Sequence, residues 1–144
     1  MNPQTQEDRN RLLRKIYRAC RVTETGCWVP HGSGFDITDG GYIRTNFARG
    51  KVMCHCATWY ITHGEAVKKG RNDISHRCAN PACCKPSHLC KESHVANLSR
   101  RNCPGFIYFR DDPTTGWCLC PHDPPCLIYT EVDRNASIRL SNRE

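Results

Sequence analysis

The sequence has no long apolar run. No window approaches the roughly 18 consecutive apolar residues of a membrane-spanning helix, so no membrane partner is expected. The opening stretch, MNPQTQEDRNRLLRKIYR, lacks an apolar centre and a small-residue cleavage site, so no secretory signal is expected. An intracellular location is expected, nuclear in a eukaryote and otherwise cytoplasmic, where thiols stay reduced rather than pair as disulfides. Internal repeats and low-complexity segments are also missing. Acidic residues are scarce: 14 stand against 21 Lys and Arg, a formal charge of +7. That excess suits a polyanionic partner, most often nucleic acid, although it also serves plain solubility. The apolar share, 38% of 144 residues, includes 12 cysteines, so the oily core is thin and wants staples. With disulfides disfavoured, the expected staple is zinc, which thiolates and imidazoles bind tetrahedrally.

Residues 7–21 read as an amphipathic helix, with Leu12, Leu13, Ile16, Tyr17 and Cys20 on one face. Arg11, Arg14 and Lys15 lie on the other side, either solvated or able to touch phosphate. Residues 26–53 read as strands: an apolar run at 26–29, a break at Pro30 and Gly32–Gly34, then a hairpin turn at Asp39-Gly40-Gly41. A second turn is expected at Arg49-Gly50-Lys51. The resulting meander carries basic and polar residues on one face, which can lie in a DNA major groove or face water. Residues 53–62 read as a short buried helix ended by Gly64, and 65–73 as a basic loop. Residues 104–126, rich in Pro, Gly and Cys, read as a loop held by something other than a core. The tail, 127–144, is a strand, an arm to a second subunit, or frayed chain.

The informative part is 75–103, followed by a second group at 120–126. Cys78, Cys83 and His88 stand in C-x4-C-x4-H spacing, and the prolines and Asn80 between them bend the chain enough to bring three ligands together. Cys120, His122 and Cys126 form a second group, C-x-H-x3-C, which needs one more ligand from Cys103 or Cys118. Scattered core cysteines do not cluster in this way. Cys84 and Cys90 fit neither group and read as small buried residues.

The run H-x-C-x4-C-x4-H-x8-N-x5-C followed by C-x-H-x3-C resembles the His-Cys box homing endonucleases, within the wider ββα-metal (His-Me finger) nucleases. The likeness is close over 75–126, including Asn80-Pro81-Ala82-Cys83-Cys84-Lys85-Pro86-Ser87-His88-Leu89, and looser back to Cys27. It implies His76 as general base and Asn97 as ligand of a catalytic divalent ion, on a helix starting near Ser93. It implies Cys78, Cys83 and His88 as ligands of a first structural zinc, with a fourth from an upstream strand. Cys27 is the preferred fourth, with Cys20, Cys54 and Cys56 as rivals. It implies Cys103, Cys120, His122 and Cys126 as the second zinc set; Cys118 rivals Cys120, because the stretch after Cys103 is longer than the family pattern. Arg44 matches an arginine that contacts the scissile phosphate. His55 reads as packing or orienting a neighbour. His94, one turn before Asn97, reads as a surface residue within reach of DNA or the metal's water.

The chemistry stands beside the resemblance. A neutral imidazole can deprotonate water near pH 7. An amide carbonyl and phosphate oxygens suit one Mg²⁺, which keeps most of its waters. Arginine adds a cation that cannot lose its proton. Each zinc site of three thiolates and one imidazole carries 2 − 3 = −1, so two sites lower +7 to about +5 and leave the chain basic. The expected architecture is α+β: a zinc-stapled ββα-metal nuclease fold with a DNA-facing antiparallel sheet. One domain, 1–144, would comprise the N-terminal helix (7–21), the sheet (26–53), the ββα-metal core (74–102), the second zinc loop (103–126) and the tail (127–144). The expected function is Mg²⁺-dependent, site-specific double-strand cleavage leaving 5′-phosphate and 3′-hydroxyl ends. The resemblance implies a homodimer, with the tail as its arm. A catalytically silent zinc-supported DNA-binding domain is the alternative. A RING-like adaptor fits poorly, because no assigned ligand pair has C-x2-C spacing.

Overall fold

The computed structural model describes residues 5–68 and 70–133. The N-terminal helix α1 spans Gln6–Ala19. Thr5 caps it through a reciprocal box, its hydroxyl accepting from Asp8 N (3.0 Å) while the Asp8 carboxylate accepts from Thr5 N (3.1 Å). Leu12 and Ile16 are the residues this helix buries. It stops earlier than its apolar periodicity suggests. Cys20–Val22 turns extended as β1 and pairs antiparallel with β2, Trp28–Pro30. The β-branched Val22 and Thr23 favour that change, and the ladder to Val29 satisfies the backbone.

The stretch 26–53 therefore does not form one sheet. β2 pairs with β1, and a separate three-stranded meander follows: β3 (Phe35–Ile37), β4 (Ile43–Phe47) and β5 (Gly50–Met53). The first hairpin turns at 38–42 as the composition suggests, with Gly41 at φ +86°. The second turns one residue earlier than its glycine suggests. Ala48 and Arg49 take the two positive-φ positions, leaving Gly50 and Lys51 in β5.

Helix α2, Cys54–Thr62, is buried on most sides: Cys54, His55, Ala57, Thr58, Tyr60 and Ile61 are all inside. Next come β6 (Asn72–His76), a 3₁₀ turn at Pro86–His88, β7 (Leu89–Ser93) and α3 (His94–Ser99). β6 and β7 pair antiparallel, with His76 opposite Leu89 and Asp73 opposite Glu92, and α3 packs back on both strands. That is a ββα unit. The main core joins Leu12, Ile16, Val29, Ile43, Ala57 and Ile61 to Cys27, Cys54, Cys83 and Cys84. Among the described residues four of its ten members are cysteines, which is how a thin apolar set closes.

Residues 104–126 are more ordered than their composition suggests. They hold β8 (Phe106–Phe109) and β9 (Gly116–Cys118), antiparallel to each other, and β8 also pairs in parallel with β10 (Tyr129–Val132). At Gly105, φ is +64° and a Cβ would collide with the Ile128 carbonyl, so only glycine lets these backbones meet. β10 makes the start of the tail a strand; residues 134–144 lie outside the described part. Among the described residues no helix is long and apolar enough to cross a membrane.

Candidate functional site

Four donors meet where β2, the loop after β6 and the 3₁₀ turn converge. Cys27 immediately precedes β2. Cys78 and Cys83 flank a tight loop in which Ala79 has φ +58° and the Asn80 side chain accepts from Ala82 N (3.1 Å). Pro86 opens the 3₁₀ turn that delivers His88. His88 Nδ1 lies 3.6 Å from Cys27 Sγ and 3.5 Å from Cys83 Sγ, and all four donor atoms fall within 4.8 Å of one another. Zinc bonds of about 2.3 Å to sulfur and 2.0–2.1 Å to nitrogen, at tetrahedral angles, put S and N roughly 3.6 Å apart. The group therefore fits zinc. A hydrogen bond from the Cys78 thiol holds Cys83 well below the ordinary thiol range, so one sulfur is already disposed to be a thiolate. The rivals for the fourth position lie elsewhere: Cys20 Sγ is 3.4 Å from Cys84 Sγ, Cys54 is in the core, and Cys56 Sγ sits 3.4 Å from His55 Nε2.

The second group is Cys103, Cys120, His122 and Cys126, with donors again within 4.8 Å of one another. His122 Nδ1 is 3.3 Å from Cys120 Sγ and 3.5 Å from Cys126 Sγ, the same tetrahedral spacing. Desolvation opposes ionisation of Cys120, but the backbone N–H groups of Cys126 and His122, together with the His122 and Cys103 side chains, hold the thiol below its ordinary range. With Nδ1 facing sulfur, His122 carries its proton on Nε2 and donates it to Ser99 Oγ, 3.0 Å away on α3. Cys118 is exposed and stands outside this group.

Two arginines that sequence reasoning passed over fasten the second group to the ββα unit. Arg100, just after α3, is 6% exposed. It donates from Nε and Nη2 to the two Glu92 carboxylate oxygens (2.7 and 2.8 Å), and from Nη1 to the Pro124 carbonyl (2.9 Å) and Cys126 Sγ (3.3 Å). Arg77 donates to the carbonyls of Pro125 (2.8 Å) and Ser87 (3.1 Å). Some of the basic excess is therefore internal fastening. Only the short spacing from Glu92 to Arg100 across a strand-to-helix turn hinted at it.

The ββα unit carries the remaining candidates. His76 ends β6, and its Nε2 lies 2.8 Å from the carbonyl oxygen of Cys83. A carbonyl only accepts, so Nε2 holds the hydrogen and Nδ1 the lone pair. Burial moves His76 below the ordinary histidine pKa, against the opposing pull of that hydrogen bond. The His55 ring is 4.5 Å away and Tyr42 5.9 Å away. His55 itself is pushed down to about 3, by burial first and by His76 second, and its Nδ1 is buried without a hydrogen-bond partner. Asn97 lies on α3, where its Nδ2 donates to Asp73 Oδ2 (2.9 Å). His94 Nδ1 meets the same oxygen at 2.6 Å. Those bonds, Asn97 first, hold the Asp73 carboxyl below the usual range. Asp73 was not singled out from sequence. Its signal was the three-residue spacing of His94 and Asn97, which puts both on one helix face toward a common partner. Arg44 on β4 donates from Nε (3.0 Å) and Nη2 (2.6 Å) to Asp36, which also accepts from Lys51 (3.0 Å). Arg44 is thus tethered within its own sheet by two of its five N–H groups.

No solved structure matches this chain. Protein 2.8 of Escherichia phage T7 is similar to it, at 34% identity over 79 residues, covering 54% of this chain and 50% of that protein. The chain thus spans about half the length of that relative. The family described as the zinc-binding loop region of homing endonuclease matches residues 19–137, a span that contains every donor of both groups. By that match, and with two donor sets that fit zinc inside it, the chain belongs to the zinc-binding loop family of homing endonucleases.

Proposed function

We propose that the protein is a site-specific double-strand DNA endonuclease that hydrolyses phosphodiesters with His76 as general base. The hydrogen bond from His76 Nε2 to the Cys83 carbonyl carries this reading. It fixes the tautomer, leaves the Nδ1 lone pair free, and ties the ring to a residue of the first zinc group. With its pKa lowered by burial, the ring is neutral at pH 7 and ready to take a proton. His76 removes a proton from water, the water oxygen bonds to phosphorus, and the 3′-oxygen leaves with the electron pair of the broken bond and takes a proton from solvent. The ends are 5′-phosphate and 3′-hydroxyl. Asn97 would hold a divalent cation through its carbonyl oxygen, a hard donor of the kind Mg²⁺ takes. A divalent cation held there would supply charge stabilisation to the reaction. Arg44, held by Asp36, keeps three N–H groups for a phosphate. The net basic charge brings the duplex in and makes binding salt-sensitive. A homodimer acting on both strands completes the reading.

The test is incubation with a randomised duplex library and Mg²⁺, followed by sequencing of the cut ends. Cleavage at one recurrent motif is expected, lost with EDTA and reduced at least about 10²-fold in His76→Ala. The base works deprotonated, so activity should fall on acidification only below the ordinary histidine value of about 6.5. A library bound at a motif but never cut makes the protein a silent DNA-binding module instead.

A further inference from the structure

Helix α3 has six residues, none of them buried. Core packing therefore does not decide where Asn97 stands. Its side-chain ties to β6 run to one atom: Asp73 Oδ2 accepts from Asn97 Nδ2 at 2.9 Å and from His94 Nδ1 at 2.6 Å. An asparagine can present either end of its amide, because the two ends are nearly the same size. Only the carbonyl end is a cation ligand. A carboxylate at neutral pH is an acceptor alone, so Asn97 must turn its nitrogen to Asp73 and its oxygen away. The same oxygen accepts from His94 Nδ1, so that nitrogen carries a hydrogen.

We propose that Asp73 is the positioning residue of the cation site: it takes the Asn97 amide hydrogen, turns the Asn97 carbonyl oxygen outward, and pins α3 to β6 through Asn97 and His94. This rests on Asn97 being the cation ligand. The role needs an acceptor oxygen at position 73 and does not need its charge. Asparagine there keeps a carbonyl oxygen with two lone pairs, enough for both donors.

The experiment follows the Asn97 side-chain NH₂ pair in ¹⁵N–¹H spectra of the full, zinc-loaded chain while Mg²⁺ alone is added. Zinc content and thermal midpoint confirm that each variant is folded. In the wild type the pair should shift saturably. Asp73→Ala should weaken the apparent Mg²⁺ affinity about tenfold or more, the usual scale for residues that orient a ligand. Asp73→Asn should recover most of that loss. An equal response in wild type and Asp73→Ala overturns the inference and leaves the Asn97 reading standing. Asp73→Asn as weak as Asp73→Ala also overturns it, because charge and not orientation would then be decisive. A wild-type pair that ignores Mg²⁺ overturns the Asn97 reading itself, and the inference with it.

Discussion

The two zinc-fitting groups use the same donor types in opposite ways. The first spans 61 positions, from Cys27 to His88 (88 − 27 = 61), and two of its sulfurs, Cys27 and Cys83, belong to the main core. The second spans 23, from Cys103 to Cys126 (126 − 103 = 23), and Cys120 and His122 are only half-buried. Loop-closure entropy does not separate them. The longer closure differs from the shorter by only about 0.9 kcal/mol. Burial does: each fully buried Leu, Ile or Val beside the first group contributes roughly 1.5–3 kcal/mol, and Leu12, Ile16, Val29 and Ile43 all pack there. The first group is part of the core, whereas the second is a local clip that needs Arg77 and Arg100 to hold it against the ββα unit.

The largest effect should therefore fall on the first group alone. Cys83→Ala should remove the cooperative thermal transition, as should a strong chelator acting on both sites. Cys120→Ala should leave a cooperative transition, with the bound zinc reduced from two equivalents to one. Calorimetry with a zinc assay reads both. A Cys120→Ala chain with no transition would erase the difference between the groups.

What could be read from sequence divides along the same line. C-x4-C-x4-H and C-x-H-x3-C were visible because the ligands sit close in the chain and need only local bends. Cys27 was not fixed by any spacing. It lies 51 positions before Cys78 (78 − 27 = 51), and only the resemblance singled it out from Cys20, Cys54 and Cys56. The helix at 53–62 was legible from a short apolar run, whereas the strand–strand–helix order of 74–102 came from the resemblance alone; Ser93 Oγ caps that helix, accepting from Ala96 N (3.1 Å). The division of 26–53 between two sheets was not, because pairing of β2 with β1 is a choice of partner and not a pattern within the strand. Nor were β8 and β9. Their residues lie among Pro, Gly and Cys, and their order depends on neighbours as distant as β10. Asp73 and Arg100 stayed hidden for a plainer reason: a single charged residue has no period, and its partners are known only after folding.

Arg100 tests the fastening. Its side chain is 5% exposed and that of Glu92 12%. Arg100→Met leaves Glu92 without its partner and the Pro124 carbonyl without its donor. Removing one member of such a buried pair costs about 3–5 kcal/mol. The thermal midpoint should drop clearly, and the second zinc should be lost to a chelator before the first. Arg77→Met, whose bonds lie at the surface, should do less. Equal loss of both zincs in Arg100→Met would mean that Arg100 serves the whole ββα unit rather than the clip.

The finest distinction rests on Ser99. Its hydroxyl accepts the His122 Nε2 hydrogen at 3.0 Å, so it orients a ligand ring without touching the metal. The corresponding histidine of the first group is buried and delivered by the Pro86 turn, so its orientation comes from backbone and packing. Ser99→Ala should then weaken zinc at the second group by about tenfold, the lower end of what such orienting bonds contribute. It should leave the first group unchanged. Competition with a chromogenic chelator would show this as a shift of the weaker phase alone, with the calorimetric transition near its wild-type position. The serine is exposed enough for water to replace its oxygen, which would keep the ring's hydrogen bond but not its direction. An unshifted weaker phase would therefore mean that the two neighbouring thiolates already orient His122, and that the clip depends on its arginines alone.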